Sequence, residues 1–318
     1  MKNKLQLFSV ILLLGLVFNT SVFGQTWVGQ TSGTTNGLTS VYFLNDLTGW
    51  AVGASGTVLL TTDGGSTWTS ATTTPGSNYL YEVQFVDAIN GFIAAGNDVW
   101  VSTDGGDTWS VASADPPTDV FGIHFFDASN GYAVGGDSYI YYTDSGGNGW
   151  IVNSSIYSTG TTLSDISFYD ADHGITVGNN GRVFYTTNGG DAWTAPTTSI
   201  TSEYVNKVQM ISSTVGFLSV NYQVYKTTDG GDNWSDSFPT IGGVVTGVYY
   251  VDSDNGMVVA HSGGIGKTGD GGFNWVGLTS GTTQDLYDVF FPSSNVGYVV
   301  GESGIILKTA VVIHSQCK

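Results

Sequence analysis

Short apolar runs with the spacing of β-strands recur along the whole chain. The first, Leu38-x-x-Val41-x-Phe43, is an alternating run of strand period. A turn at 45–49 leads to a second strand at 50–52, and a turn at 53–56 leads to a third at 58–61. The same frame returns in runs that begin at Leu80, Val120, Leu163, Val205, Val245 and Leu286. No helical period of useful length follows the first 24 residues, so the pattern predicts an all-β chain of seven units.

A glycine-rich turn followed by tryptophan ends six of these units. In the first unit it reads Thr62-Asp63-Gly64-Gly65-Ser66-Thr67-Trp68, and Asp-Gly between two strand-like runs is a strong hairpin signal. The copies contain Asp63 and Trp68, Asp104 and Trp109, Asp144 and Trp150, Asn188 and Trp193, Asp229 and Trp234, and Asp270 and Trp275. A repeat of about forty residues is typical of a propeller or a solenoid. We expect a fourth strand around each tryptophan.

The seventh unit has no such turn and no tryptophan after its third strand at 305–309. The missing strand is found at the other end of the chain, where residues 26–35 closely copy residues 274–283 and Trp27 matches Trp275. Closing the array in this way removes exposed sheet edges. We therefore predict a seven-bladed β-propeller of four-stranded blades, with the N-terminal strand completing the last blade.

The N-terminus has the pattern of an export signal. Lys2 and Lys4 precede an apolar run at 8–18 that is too short to span a membrane. We expect residues 1–24 to be a signal peptide, residues 25–310 to form the propeller and residues 311–318 to be a short tail. The predicted location is outside the cytoplasm: secreted, periplasmic or at the cell surface.

The charge balance narrows the classes of partner. The chain carries 26 Asp and Glu against 8 Lys and Arg, a formal charge of -18. Such a surface repels nucleic acid and disfavours anionic lipid, and it leaves calcium, cationic partners and neutral glycans open. The single cysteine, Cys317, gives no internal disulfide framework, so packing must hold the fold. No integral membrane segment is predicted, and we expect a monomer.

The repeated turns resemble the Asp-box, or BNR, repeat. The longer frame, Gly49-Trp50-Ala51-Val52-Gly53-x-x-Gly56 leading into Leu60-Thr61-Thr62-Asp63-Gly64-Gly65-x-x-Trp68, is similar to the Ycf48/HCF136 family of seven-bladed propellers. That resemblance implies a role in photosystem II assembly and an arginine-rich surface, whereas this chain has one arginine, Arg182. The signal peptide and the Thr- and Gly-rich repeats resemble secreted proteins of Bacteroidetes-type bacteria.

The Asp-box residues are interpreted as structural. A carboxylate such as that of Asp63 can accept hydrogen bonds from N–H groups of its own turn. The tryptophans offer large apolar faces for packing between neighbouring sheets. Asn188 keeps the acceptor without the charge, which indicates that geometry matters more than ionisation. We expect no cofactor and no metal site, with calcium at the boxes as the alternative.

The sequence gives weaker support for a catalytic function than for a structural or binding one. A sialidase needs three arginines to hold its substrate carboxylate, so Arg182 alone argues against that activity. Another glycoside hydrolase would need paired carboxylates. Aligning the units places Ser40, Glu82, Gly122, Asp165, Lys207, Gly247 and Asp288 at one position of the innermost strand. Glu82, Asp165 and Asp288 are the catalytic candidates of this alternative; the favoured interpretation is a solvated channel lining with Lys207 as counter-charge.

The segments that join the units are better candidates for binding. They span 70–79, 110–119, 153–162, 195–204 and 235–243, and should cluster on one face with the turns between second and third strands. The aromatic candidates there and nearby are Tyr79, Tyr81, Phe121, Tyr157, Tyr204, Phe238 and Tyr287. Exposed aromatic side chains suit a protein or a sugar. The sequence thus favours an exported, non-enzymatic module that binds an envelope or extracellular protein, or a polysaccharide, with a secreted glycoside hydrolase as the alternative.

Overall fold

The computed structural model describes residues 26–112, 118–155, 161–197, 200 and 203–310. They form seven antiparallel sheets, and each innermost strand contacts the innermost strands of the two neighbouring sheets. The fold is therefore the predicted seven-bladed β-propeller. The predicted signal peptide, the tail at 311–318 and Tyr157 lie outside the described residues. No helix in the described ranges is long and apolar enough to cross a membrane.

The strands follow the chain blade by blade. The first strand, β1 (Thr26–Gln30), belongs to the last blade. Blade 1 contains β2 (Leu38–Phe43), β3 (Gly49–Gly53), β4 (Val58–Thr61) and β5 (Thr69–Ser70). Blade 2 contains β6 (Glu82–Phe85), β7 (Gly91–Ala95), β8 (Asp98–Ser102) and β9 (Ser110–Val111). Blade 3 contains β10 (Val120–Phe125), β11 (Gly131–Gly135), β12 (Tyr139–Thr143) and β13 (Ile151–Ser155).

The second half of the ring repeats this order. Blade 4 contains β14 (Leu163–Phe168), β15 (Gly174–Gly178) and β16 (Val183–Thr186). Blade 5 contains β17 (Val205–Met210), β18 (Gly216–Val220), β19 (Gln223–Thr227) and β20 (Ser235–Ser237). Blade 6 contains β21 (Val245–Tyr250), β22 (Gly256–Ala260), β23 (Ile265–Thr268) and β24 (Val276–Leu278). Blade 7 contains β25 (Leu286–Ser293), β26 (Val296–Gly301) and β27 (Ile306–Ala310), with β1 outermost.

The ring closes as predicted from the copied N-terminal segment. β1 pairs antiparallel with β27 over five positions, and Trp27 lies opposite Thr309. Trp27 is buried and meets Phe291 edge-on, with ring centroids 6.4 Å apart. Blade 4 departs from the four-stranded pattern, because its fourth position is represented by a single bridge between Tyr185 and Thr194.

Aromatic stacking joins consecutive blades. Trp50 of blade 1 lies flat on Phe85 of blade 2, with ring centroids 3.4 Å apart, and Trp109 packs edge-on against Phe85 at 5.7 Å. Gly106 must remain a glycine at this interface, because its φ is +88° and a Cβ would lie 2.4 Å from the Trp50 Nε1 atom. Equivalent stacks join Tyr298 to Phe43, Phe92 to Phe125, Tyr132 to Phe168 and Phe217 to Tyr250. Trp68 and Trp109 belong to hydrophobic clusters that join their own blade to the preceding one, as predicted for the Asp-box tryptophans.

The Asp-box carboxylates stabilise their own turns, which confirms the structural interpretation in most blades. The Asp63 Oδ1 atom accepts the Thr67 N–H at 2.8 Å, and the Asn188 side-chain oxygen accepts the Ala192 N–H at 3.0 Å. The assignment of Asp144 is wrong. The turn of blade 3 has the same length as that of blade 1, with Thr143 at the position of Thr61, so Ser145 occupies the position of Asp63, beside the Thr143 hydroxyl. Asp144 is exposed one position earlier.

Candidate functional site: the aromatic mouth of the central channel

A bulge near the start of the innermost strands shapes one end of the channel. In blade 1 the register shifts between Leu38 and Ser40, so Thr39 is an extra residue that opposes no partner of its own. The same shift recurs in the innermost strands of blades 3, 4, 5, 6 and 7. This bulge is the reason that two residues, rather than one, separate Leu38 from Val41, and its extra residue is polar or aromatic in every blade that has it.

The bulge residues and three of the linkers line a cavity of about 390 Å³ at this end, which we call the mouth cavity. Its volume lies within the range of small-molecule and side-chain pockets. It is lined by Thr39, Tyr79, Tyr81, Phe121, Thr162, Ser164, Tyr204, Asn206, Lys207, Thr246 and Tyr287. Five of the seven predicted aromatic binding residues therefore meet in one place. Phe238 is 60% exposed and is not among the residues that line the cavity.

The aromatic rings form an arc. Tyr79 packs against Tyr81 with centroids 5.0 Å apart, and Tyr81 meets Phe121 edge-on at 4.8 Å. Tyr79 and Tyr204 remain about half exposed. Burial, followed by the nearby Tyr79 and Asp119, raises the pKa of Tyr81, and burial also raises the pKa of Tyr204. The phenols thus stay neutral, and their rings line the cavity.

Most of the polar side chains that line the mouth cavity form hydrogen bonds to the next blade. The hydroxyl groups of Thr39, Ser164 and Thr246 each donate to a carbonyl oxygen in the next blade, at 2.5, 2.6 and 2.6 Å. The Asn206 amide donates to the Val245 carbonyl oxygen at 2.9 Å. Sequence reasoning missed these residues as cavity lining; the two-residue gap between Leu38 and Val41 is the signal that could have found them.

Beneath the mouth cavity lies a layer of three carboxyl groups around one lysine, which we call the carboxylate layer: Glu82, Asp165, Asp288 and Lys207. The Lys207 Nζ atom lies 3.5 Å from Glu82 Oε1 and 3.6 Å from Asp165 Oδ1. Each carboxylate also reaches the innermost strand of the next blade. Glu82 accepts the Ile123 N–H at 2.8 Å, Asp165 the Val208 N–H at 2.7 Å, and Asp288 the Val41 N–H at 3.0 Å.

Burial changes the ionisation of this layer. Burial and the charge of Asp165 raise the pKa of Glu82 to about 8, against the opposing effect of Lys207. Burial also raises the pKa values of Asp165 and Asp288. Burial alone would lower the pKa of Lys207, but the surrounding carboxylates have the larger, opposite effect. The pKa of Lys207 is therefore raised. The side chain of Asp165 is only 3% exposed. The side chains of Lys207 and Glu82 remain 20% and 19% exposed, so the layer is partly open to solvent, and its carboxyl groups also link neighbouring blades.

The opposite end of the channel carries the Asp-box turns and most of the described lysines. Lys226 donates to the Ser253 carbonyl oxygen at 2.9 Å, and Lys308 to the Gly64 carbonyl oxygen at 2.6 Å. Lys267 lines a separate cavity there beside Asp252. Within the described ranges, no group of three or more His, Cys, Asp or Glu side chains is placed to hold a metal ion.

The fold and this mouth define the chain as a closed Asp-box propeller with an aromatic, loop-lined face. Residues 19–111 and 153–284 match the family model described as photosynthesis system II assembly factor YCF48. The chain belongs to that family. No curated protein matches it.

Solved structures agree with this fold. One titled YCF48 bound to D1 peptide is 22% identical, with a TM-score of 0.75, over 89% of this chain and 96% of that one. YCF48 from Cyanidioschyzon merolae is 22% identical, with a TM-score of 0.74, over 89% and 98%. A GH74 xyloglucanase from Xanthomonas campestris is 13% identical, with a TM-score of 0.70, over 89% of this chain and 53% of that one. At these identities the likeness shows the fold alone.

Proposed function

We propose that this chain is an exported, non-enzymatic propeller that binds a segment of another protein in the mouth cavity, as a monomer and without a cofactor. The observation that carries the proposal is the convergence of Tyr79, Tyr81, Phe121, Tyr204 and Tyr287 on one cavity at the end of the channel. Aromatic residues are enriched in protein interfaces because they bury large surfaces at low entropic cost. Membership of the family, and a relative described as bound to a peptide, support a protein segment as the occupant.

Hydrolysis is the alternative, and the carboxylate layer argues against it. A glycosidase needs one carboxyl group that donates a proton and a second that is free to attack or to activate water. Here Glu82 and Asp165 share Lys207, and each accepts a backbone N–H from the next blade. These contacts hold both groups in structural roles. The similarity to GH74 enzymes concerns the fold.

The proposal is tested by comparing protein capture by a variant of the mouth cavity with capture by a variant of the Asp-box face. Purified residues 25–318 are cross-linked in extracts of the producing cell, and captured proteins are identified for the wild type, for Tyr79→Ala/Tyr204→Ala and for Phe273→Ser. Phe273 is 87% exposed on the Asp-box face, so it serves as the control. We expect a defined protein that is lost only with the tyrosine pair and kept in the presence of a chelator. Capture that survives in the tyrosine variant would contradict the proposal.

Polysaccharides and turnover are measured beside capture. A soluble polysaccharide that binds the wild type and is cleaved by it, with cleavage abolished in Glu82→Gln/Asp165→Asn, would replace the proposal with the hydrolase. For export, the mass of the protein recovered from outside the cytoplasm should correspond to a chain that begins at Gln25. An unprocessed protein retained in the cytoplasm would remove export from the proposal.

A further inference from the structure

We infer that the mouth cavity recognises a cationic side chain, arginine or lysine, within the bound segment; this inference rests on the proposed function and specifies its partner. The cavity offers aromatic faces on several sides. Tyr79, Tyr81 and Phe121 form a continuous arc with centroids 5.0 and 4.8 Å apart. Tyr204 lies close enough to Tyr81 to affect its ionisation. A cation within about 6 Å of such a ring is attracted by the negative face of its π-system.

The rim of the mouth cavity is acidic. Asp119 lies close enough to Tyr81, and Asp285 and Glu302 close enough to Tyr287, to act on those phenols electrostatically. The whole chain has a formal charge of -18. A positively charged segment is therefore attracted towards this face before it makes contact.

Lys207 does not reverse this preference. Its ammonium group is held by Glu82 and Asp165 and is also attracted by Asp288, so three carboxyl groups face one lysine. Arg182 is placed in the turn before β16 and does not line the cavity. The three described lysines other than Lys207 lie at the Asp-box face.

The hydrogen-bonding inventory also disfavours an anion. Strong recognition of a carboxylate uses charged or backbone N–H donors that are free of other partners, whereas a neutral phenol can donate or accept and does not select the sign of the charge. The hydroxyl groups of Thr39, Ser164 and Thr246 and the Asn206 amide instead donate to carbonyl oxygens of neighbouring blades. What remains for a ligand is mainly aromatic surface with phenolic oxygens, which fits a guanidinium or an ammonium group on an apolar stem.

Isosteric peptides test this inference. The probes are Gly/Ser peptides with one central arginine, citrulline, lysine, norleucine or glutamate, titrated against the protein with ring-labelled tyrosines and followed by NMR. Citrulline has nearly the shape of arginine without its charge. We expect the arginine and lysine peptides to bind about tenfold more tightly than their neutral counterparts, with an affinity that falls as salt is added.

Substitutions of tyrosine test whether the mouth cavity is responsible for the preference for cationic peptides. Tyr81→Leu and, independently, Tyr204→Leu keep apolar bulk but remove the ring, so each should abolish the preference for charge. Tyr169→Leu changes an exposed tyrosine between β14 and β15, at the Asp-box face, and should leave the preference unchanged. Melting temperatures establish that each variant is folded.

Equal affinity for arginine and citrulline peptides, tighter binding of the glutamate peptide, or binding of none of them would overturn the inference. The proposed function has a separate readout. A protein captured through Tyr79 and Tyr204 without any preference for arginine or lysine would leave the proposed function in place and remove only the cationic side chain. Absence of both capture and peptide binding would remove the two together.

Discussion

The Asp288 carboxylate in the last blade accepts a hydrogen bond from the backbone N–H of Val41 in the first blade, at 3.0 Å across 247 residues of sequence. The same link joins Glu82 to Ile123 and Asp165 to Val208. The ring is thus closed twice: by this bond at the channel, and by the pairing of β1 with β27 at the periphery. Both closures act between residues that are remote in sequence.

The peripheral closure is tested by Trp27→Ala. Trp27 is buried between β1 and the core of blade 7, so removing it leaves a cavity at the seam. We expect a loss of about 3–5 kcal/mol in the free energy of unfolding, measured by denaturant titration. Val28→Ala on the exposed side of the same strand is the control. Equal stability of the two variants would contradict a structural role for the seam.

The carboxylate layer makes stability depend on pH. Because the pKa of Glu82 is raised from its usual 4.5 to about 8, the folded protein holds a proton there that the unfolded chain releases. Stability should therefore fall as the pH rises from about 4.5 to about 8. Glu82→Gln, which cannot ionise, should flatten this fall in thermal melts, whereas Glu302→Gln at an exposed turn should not. A wild-type slope that persists in Glu82→Gln would refute this account.

Lys207 should stabilise the ring most when the carboxyl groups are ionised. Lys207→Met leaves Glu82, Asp165 and Asp288 without their cation, and removing one partner of a buried ion pair costs about 3 kcal/mol or more. We expect the loss, measured by denaturant titration, to be larger at pH 8 than at pH 5. Lys267→Met, at an exposed lysine, provides the matched control. A loss that is independent of pH would show that packing, rather than charge, is responsible.

The corrected alignment of blade 3 gives a direct test of the Asp-box interpretation. Asp104 accepts the Thr108 N–H at 3.0 Å and the Ser102 hydroxyl at 2.8 Å, so Asp104→Ala should lower the free energy of unfolding by about 1 kcal/mol. Asp144→Ala should be neutral, because Ser145 occupies the equivalent position. Similar losses in the two variants would restore Asp144 to the box.

The repeats in the sequence made the closing strand and part of the aromatic mouth predictable. The likeness of the segment around Trp27 to that around Trp275 identified the closing strand, and the aromatic residues in and beside the joining segments included Tyr81, Phe121 and Tyr287, which line the cavity. Matching by residue type fails in blade 3, where Asp144 occupies the position of Thr62 and Ser145 that of Asp63. It also cannot tell which linker residues line the cavity, as Tyr79 does, and which do not, as with Phe238.

The hydrogen bonds of the carboxylate layer could not be predicted from the sequence, for a different reason. Alignment placed Glu82, Asp165 and Asp288 at one level of the channel, but their bonds depend on how far each blade is displaced along its neighbour. That displacement is a relationship between units, as is the stacking of Trp50 on Phe85. A pattern within one unit does not contain it.

Site-specific photo-cross-linking tests the central claim, that a protein segment occupies the mouth cavity. A benzoylphenylalanine replaces Tyr204, at the mouth, or Tyr169, which is 53% exposed at the Asp-box face. Irradiation in the producing cell should yield one defined protein adduct from position 204, attached through a peptide that contains arginine or lysine, and none from position 169. Adducts of equal yield from both positions, or an adduct from position 169 alone, would contradict the assignment of the mouth as the binding site.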